Sequence, residues 1–591
     1  MRQYFETMNP LGKPLKPADV EEMAENRDRV GAVLNDLDAE LQRVKNAGIP
    51  AAKIRERGEM TVWDRIEYLV DPGTFCPLHT LYNPRQNEEG TTGVADGLAK
   101  ISGRWCVVVG FDNKVMAGAW IAGQAENQLR VTDLAKRLRV PLVWLVNCSG
   151  VKLMEQDEVY PDRRGNGTTF FRHAELEKLG VPILAGIYGT NPAGGGYQSI
   201  SPTLLFAHKN ANMAVGGGGI VSGMSPKGGF DEEAAEQIIE GVRRYKETPP
   251  GSVRIHHDVT GFFKRVFDTE TEVLDALKAA MAQMPAYDPA FFRVASPAAP
   301  KYPAGDLASI VPMNQKAVYS IEDVLARLVD GSEHLEFRPG FGPEVYTGLV
   351  KVDGFLVGVI GNRQGLLGTS YPEYTTDYIG IGGKLYRQGL IKMNEFVTQC
   401  GRDRVPVIWF QDTTGIDVGD TAEQAELLAL GQSLIYSIEQ TDVPMMLVVV
   451  RKGAAAAHYV MGGPTANNHN AFTLGTPATE IYVMHGETAA VASYSRRLLR
   501  DKDAGKPLKP VIDQMNALTK QYYDESRPIY CAIRGFIDEM VRFDDIRRYM
   551  VAFAGSAYQN PASICPHHHM LLPRMIRSQI VKGQERPKKA R

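Results

Sequence analysis

Paired cysteines are missing from this chain. Its six cysteines (Cys76, Cys106, Cys148, Cys400, Cys531, Cys565) are scattered, with no Cys-x-x-Cys pair. That predicts a reducing compartment and argues against a zinc site built on cysteine. Long apolar runs are missing too. No stretch of about 20 consecutive apolar residues occurs, so the chain is not expected to cross a bilayer by itself. Met1 to Lys16 has no apolar run of signal-peptide length. Charge of one sign is not in excess: 66 Lys and Arg stand against 69 Asp and Glu, a formal net charge of −3. No nucleic-acid partner is predicted from that balance. The basic stretch Lys582 to Arg591 reads as a solvated tail.

Several catalytic signatures are absent as well. There is no Gly-x-x-x-x-Gly-Lys-[Ser/Thr] loop, which speaks against direct use of ATP. Neither a Gly-x-Ser-x-Gly elbow nor a His-Glu-x-x-His helix occurs. The run Cys565-Pro-His-His-His569 offers metal-ligand types, but no second cluster has matching spacing, and no metal is expected. Ser149 beside Gly150 is a formal nucleophile candidate without an identifiable base.

What the sequence does contain is a duplication. Arg137-Leu-Arg-Val-Pro-Leu-Val-Trp-Leu-Val-Asn-Cys-Ser-Gly-Val151 has a partner in Arg402-Asp-Arg-Val-Pro-Val-Ile-Trp-Phe-Gln-Asp-Thr-Thr-Gly-Ile416, identical at six of fifteen positions without a gap. Val181-Pro182 begins an apolar run that ends in Asn191-Pro-Ala-Gly-Gly-Gly-Tyr197. Val443-Pro444 begins another that ends in Gly453-Ala-Ala-Ala-Ala-His-Tyr459. Two blocks in the same order at nearly the same separation mark two copies of one domain, roughly 30–295 and 310–560. The Pro- and Ala-rich stretch Ala286 to Pro312 suits the join.

Each copy has α/β texture. Short apolar strands (Trp105–Gly110, Leu142–Val146, Ile183–Ile187, Val407–Phe410, Met445–Val450) alternate with helical stretches, clearest over Gln124–Arg139 and Lys384–Cys400. Such strands predict sheets covered by helices. Before the first copy, Val30, Val33, Leu34, Leu37 and Leu41 give Pro17 to Ala47 the spacing of an amphipathic helix.

In both copies one strand runs into a small-residue turn, Asn147 to Val151 and Asp412 to Ile416. A second runs into a tract without bulk, Ala193-Gly-Gly-Gly196 and Ala454-Ala-Ala-Ala457, where a helix can start. Small residues let a ligand approach the backbone and leave N–H groups free to face a negative oxygen. A helix start adds a favourable dipole. Two converging turns can then form an oxyanion hole. The alternative is close packing of strand on helix. The pairing of both tracts in a duplicated domain favours the functional reading.

The residues also resemble a known family. Arg57-Gly-Glu-Met-Thr-Val-Trp-Asp-Arg-Ile-Glu-Tyr-Leu-Val-Asp-Pro-Gly-Thr-Phe75 and Phe111-Asp-Asn-Lys-Val-Met-Ala-Gly-Ala-Trp120 look like the first blocks of biotin-dependent acyl-CoA carboxyltransferases. Asn147 to Val151 and Ala193 to Tyr197 follow in the expected order. Asp412 to Gly419, Arg451 to Tyr459 and Thr479-Glu-Ile-Tyr-Val-Met484 are similar to the second half. Within the family, Gly186 to Tyr197, Ile381 to Leu390 and Ala557 to Pro561 resemble the branch that removes a carboxyl group from glutaconyl-CoA.

The resemblance implies two crotonase-like (ClpP/crotonase) β-β-α superhelix domains. One, 1–295, would bind acyl-CoA; the other, 310–591, would bind biotin. It implies transfer of CO2 from glutaconyl-CoA to biotin on a separate carrier subunit, leaving crotonyl-CoA and carboxybiotin. Partners would be that carrier, an integral-membrane carboxybiotin decarboxylase subunit of a sodium-translocating complex, and at least a second copy of this chain. The chain would sit in the cytoplasm, attached to the membrane through those subunits. No Ala-Met-Lys-Met biotinylation sequence occurs in the chain itself, and Lys392-Met393 lies in a helical pattern.

Carried over by position, the acyl hole corresponds to the amides of Val151 and Gly194 or Gly195, and the biotin hole to Ile416 with Ala455 and Ala456. Gly150, Gly196, Gly415 and Gly453 flank the holes and let the ligands approach. The family has a glycine pair where this chain has alanines; alanine keeps the N–H but resists positive φ. Lys152, Arg163 and Arg164 are candidates for the CoA phosphates. The alternatives are a carboxyltransferase subunit of a propionyl-CoA or methylcrotonyl-CoA carboxylase, a hydratase or isomerase with an acidic residue over the acyl α-carbon, and an inert scaffold of a membrane complex.

Overall fold

The computed structural model describes residues 7–160, 163–200, 202–217, 230–247, 249–284, 289–367 and 380–559. The Cys565–His569 run and the basic tail lie outside the described residues. The chain forms two compact units, Glu40–Ala286, and Met1–Ala39 together with Tyr287–Arg591. By its contacts the chain divides at 286/287, and the first 39 residues group with the second unit. Specific bonds explain this. Asn9–Pro10 pairs antiparallel with Glu333–Glu336. The Asn26 side chain donates to the carbonyls of Ala308 and Val311 and accepts from the Met313 amide. The amphipathic segment forms helices over Pro17–Glu22 and Ala24–Lys45, with Val30, Leu37 and Val44 buried.

The sheet of Glu40–Ala286 has seven strands, in the order Cys76–Leu78, Val94–Ile101, Arg104–Phe111, Leu142–Val146, Ile183–Ile187, Leu204–His208, Arg265–Phe267. The first two pairings are antiparallel and the remaining four parallel. The other unit repeats these seven strands and adds Asn9–Pro10 and Glu480–Tyr482. Glu333–Glu336, Val345–Val352, Phe355–Asn362, Val407–Thr413, Met445–Ala454, Asn470–Gly475 and Glu539–Met540 pair antiparallel twice, then parallel four times. Even the hairpin turns agree. Ser102-Gly103 (φ 52 and 78) and Asp353-Gly354 (φ 52 and 77) are two-residue loops with positive φ at both positions, the geometry that matches strand twist.

The central strands Leu142–Val146 and Ile183–Ile187 are apolar and buried throughout because both faces are covered. Val143 and Leu145 join a core with Val62, Ile66 and Leu69 of the helix Val62–Leu69 and Val273, Leu274 and Leu277 of Glu270–Gln283. Trp144, between them, must point to the opposite face. There it meets His173 of the helix Thr168–Lys178 edge-on, with ring centroids 4.9 Å apart. Gln124–Leu138 forms as expected and ends at Arg139 with φ 51. The stretch Lys384–Cys400 differs: its helix is Arg387–Asp403, and Lys384–Leu385 is a short strand. The helix starts late because the buried Glu344 carboxylate accepts from the amides of Tyr386 (3.2 Å) and Gly389 (3.0 Å), a cap supplied from 42 residues upstream.

In the first unit, Arg65 and Glu270 form a buried two-point ion pair at 2.7 and 2.9 Å, and the guanidinium lies 4.0 Å over the Tyr188 ring. It joins the helix Val62–Leu69 to the start of Glu270–Gln283. Replacing Glu270→Ala leaves Arg65 buried without its carboxylate, which should cost about 3–5 kcal/mol. Urea unfolding of this variant should show a correspondingly lower midpoint for this unit; an unchanged midpoint would contradict the assignment.

Candidate active site

In the first unit the strand Leu142–Val146 runs into Asn147 to Val151, with Gly150 at φ 100. Trp120 and Val151 form an isolated parallel bridge. The Trp120 amide donates to the Gly150 carbonyl at 2.7 Å, and Lys152 donates to the Trp120 carbonyl at 2.9 Å. In such a ladder the intervening residue turns its own N–H to the other side. The half-buried Val151 amide accordingly has no acceptor among the described residues.

The next strand, Ile183–Ile187, leads through Asn191 to Ala193 (φ 49) and the helix Gly194–Ile200. The amides of Gly194 and Gly195 lie in its first turn, where no intrahelical partner exists, and none is found among the described residues. Packing demands the glycines as well. A Cβ on Gly194 would stand 2.3 Å from the Trp120 ring, and one on Gly195 2.4 Å from the Cys148 carbonyl oxygen. Close packing and free amides are therefore two consequences of one contact. Asn191 holds the two turns together: its Oδ1 accepts from Cys148 N at 2.8 Å, and its Nδ2 donates to the carbonyls of Tyr188 and Asn212. Buried Gly196 closes the tract against the Ala214 backbone.

The second unit repeats the arrangement. Gly415–Ile416 pairs parallel with Lys384–Leu385, with Leu385 opposite Ile416, as Trp120 is opposite Val151. Asp417 N donates to the Leu385 carbonyl at 3.0 Å, so the Ile416 N–H also turns away from that strand. Gly415 has φ 137. The strand Met445–Ala454 ends in Ala455 and the helix Ala455–Val460. Here the expectation about alanine is corrected: Ala455 adopts φ 51, almost the value of Ala193. Ala455 thus takes the place of Ala193, and Ala456 that of Gly194. No acceptor for the Ala455 or Ala456 amides is found among the described residues. Both line a cavity of about 760 Å³ together with Gly453, His458 and Tyr482. A second cavity of about 810 Å³ shares Tyr482 and Tyr522 with it and is lined by Thr414, Lys452 and Glu480.

Sequence reasoning missed the ion pair beneath this second turn. Asp412 Oδ2 lies 2.8 Å from Arg451 Nε, both fully buried, and Oδ1 accepts from Lys452 N at 3.2 Å. Arg451 also donates to the carbonyls of Asn314 and Ala317 and faces the Tyr319 ring at 4.8 Å. Burial lowers the Lys452 ammonium pKa, opposed by Asp412 3.5 Å away. The first copy carries Asn147 and Gly189 at these two places, so no local repeat signals the pair.

Other candidates are redirected. Lys152 Nζ sits 2.5 to 2.6 Å from Glu88, Glu89 and Glu155. Desolvation lowers its pKa, but the hydrogen bonds of Glu155, Glu88 and Glu89 prevail and hold it above the ordinary lysine value. With three donors engaged, Lys152 is not free for a phosphate. Ser149 Oγ donates to the Met116 carbonyl at 3.0 Å, and no base is bonded to it among the described residues. Burial pushes the neighbouring Cys148 thiol up to about 12, which removes it as a nucleophile.

The left-handed alanines offer a test. Ala455→Gly relieves a conformation that costs about 1–2 kcal/mol for a residue with Cβ, while the added freedom of the unfolded chain takes back roughly 0.4–1 kcal/mol. Thermal unfolding should show the variant neutral to slightly more stable, whereas Ala455→Val should be clearly destabilised. A loss of stability with glycine would contradict the backbone assignment.

Residues 53–571 match the carboxyl transferase domain family. The chain is 56% identical to glutaconyl-CoA decarboxylase subunit alpha of Acidaminococcus fermentans over 98% of both chains. It is 26% identical to the biotin-dependent 3-methylcrotonyl-coenzyme A carboxylase beta1 subunit of Mycobacterium tuberculosis, over 83% of this chain and 87% of that one. The β subunit of P. aeruginosa geranyl-CoA carboxylase superposes with a TM-score of 0.76 at 22% identity, over 95% of this chain and 99% of that one. The two α/β units, each with its paired turns, are the crotonase-like domains of a duplicated architecture, and the chain belongs to the carboxyl transferase family.

Proposed function

We propose that the chain is the carboxyltransferase component of a biotin-dependent glutaconyl-CoA decarboxylase. The observation that carries this is the 56% identity to the Acidaminococcus fermentans alpha subunit across 98% of the chain. Carboxylases of other acyl-CoA substrates are far more distant, at 26% for the methylcrotonyl-CoA relative. The duplicated turns supply the chemistry. Transfer needs two carbonyl oxygens to accept negative charge, and the chain has one set of unpaired amides for each.

Loss of the distal carboxylate of glutaconyl-CoA leaves a dienolate conjugated with the thioester. The N–H groups of Val151 and Gly194 or Gly195 stabilise its oxygen without moving a proton. Biotin, brought by a carrier subunit, supplies the ureido nitrogen that takes up the carboxyl group. Ile416 and Ala456, with Ala455 beside them, present N–H groups to the ureido oxygen, and the 760 Å³ cavity at Ala455–Ala456 gives the ring its room. Gly150, Gly196, Gly415 and Gly453 keep the approach to both sets clear. The hydrogen lost from the carboxylated ureido nitrogen balances the proton that the dienolate gains to become crotonyl-CoA, and exclusion of water keeps the released CO2 for biotin.

The 1–295 region is thus read as the acyl-CoA side and 310–591 as the biotin side. At least two copies of the chain work together, the acyl amides of one beside the ureido amides of the other. No described helix is long and apolar enough to cross a membrane. We assign a sodium-translocating decarboxylase of carboxybiotin to a separate membrane subunit, to which the chain attaches from the cytoplasmic side.

Two measurements test this. The full chain with free biotin should convert glutaconyl-CoA to crotonyl-CoA, and should leave propionyl-CoA uncarboxylated when given carboxybiotin; the reverse preference would move it to the carboxylases. Gly195→Ala, which sets a methyl 2.4 Å from the Cys148 carbonyl oxygen, should lower kcat roughly 10²–10³-fold, the effect of losing one oxyanion donor. Retention of full kcat would remove the acyl hole from these residues.

A further inference from the structure

The cavity beside Ala455 and Ala456 contains a side chain that the carboxyl-transfer reading does not use. His458 follows the two alanines in the same short helix, is 7% exposed, and lines the cavity with them. Its Nδ1 lies 2.7 Å from Oε1 of Gln411, a fully buried residue of the strand Val407–Thr413. Gln411 is oriented by its other end. Its Nε2 donates to the His458 carbonyl at 3.2 Å and to the Met461 carbonyl at 3.5 Å. Oε1 is therefore the end that faces the imidazole, and it can only accept. The network assigns the proton to Nδ1 and leaves Nε2 with a lone pair. Nε2 has no hydrogen-bond partner among the described residues. Gly453 makes room for the pair: a Cβ there would lie 2.8 Å from Gln411 Oε1 and 3.0 Å from His458 Nδ1.

Burial pushes the imidazole pKa down to about 4. The ring is neutral at any working pH and too weak a base to take a ureido proton. What it offers is a fixed acceptor next to amide donors. A ligand that satisfies both needs a carbonyl oxygen and an N–H on the adjacent atom. A cyclic urea has that pair; a lactone or a carbonate ester has only the carbonyl.

We infer that His458 Nε2 accepts a hydrogen bond from the ureido N–H on the side that is not carboxylated, so that this cavity reads the urea by its N–H as well as by its oxygen. The inference rests on the proposed biotin reading of the cavity. The nitrogen that receives the carboxyl group loses its hydrogen in the reaction. The other keeps its N–H throughout, and an acceptor that stays neutral near pH 7 suits that nitrogen. His458 then fixes which of the two nitrogens faces the carboxyl donor.

The test uses the full chain, glutaconyl-CoA, free biotin, and biotin methylated on the non-carboxylated nitrogen. With wild-type protein the methylated compound should be used at least about 10-fold less well than biotin. In His458→Ala, which removes the acceptor and makes space, that ratio should collapse towards one. The KM for biotin should rise about 3- to 10-fold, the effect of one neutral hydrogen bond, with the KM for glutaconyl-CoA unchanged. His458→Gln, which keeps an acceptor at similar reach, should recover part of the discrimination. Equal use of both compounds by wild-type protein overturns the inference without any variant. So does a ratio that His458→Ala leaves intact. Absence of any biotin-dependent turnover in the wild type overturns the parent reading instead, and the inference with it.

Discussion

A backbone amide with no carbonyl to bind is costly inside a protein, and this chain keeps such amides in two places. Everything around them follows from the way they are left unpaired. At Val151 a single parallel bridge, and at Ile416 a two-residue parallel ladder, takes up the residues on either side and turns the amide between them away. At Gly194 and at Ala456 the helix has only begun, so its first N–H groups have no carbonyl four residues back. Tight contacts then hold each turn against its tract. In the first unit the glycines press on Trp120 and on the Cys148 carbonyl, and Asn191 ties the turn to the next strand. In the second, the buried Asp412–Arg451 pair anchors the turn from below.

The two units share strand order, strand direction, hairpin geometry and even the φ of the residue before the short helix, 49 at Ala193 and 51 at Ala455. Among the described residues they differ in sheet size, nine strands against seven, and in what each turn rests on and what each faces. The glycines of the first tract admit an aromatic ring against the backbone. Ala455 and Ala456 of the second are exposed and line a cavity. Small side chains are enough there, because what the site needs is the N–H and the backbone angle rather than the missing Cβ. Beside that cavity Gln411 and His458 occupy a space that Gly453 leaves clear.

The legible part of the fold was its periodic part. The apolar strands from Trp105 to Val450 and the helix from Gln124 were readable because burial on both faces writes continuous hydrophobic runs. The repeat was readable because both copies keep Val-Pro, Trp and Gly at equal spacing. The start of the helix after Tyr386 was not, because its cap is Glu344, far away in sequence. Lys152 was misjudged for the same kind of reason: beside Val151 it resembles a phosphate ligand, but three glutamates, two of them more than 60 residues away in sequence, use its donors. The Asp412–Arg451 pair was hidden because the first copy has an amide and a glycine in its place.

By itself the sequence determined that there are two copies of one α/β domain, and that each offers a small-residue turn and a bulk-free tract. These are properties of local pattern, which periodicity and spacing record directly. Only the tertiary structure decided which amides remain unpaired, because an N–H is free or bound according to the strand beside it. It also decided that Ala455 takes a left-handed angle, that the first 39 residues group with the second unit, and that Gln411 meets the His458 imidazole. Each depends on a partner far along the chain, and no local pattern names that partner.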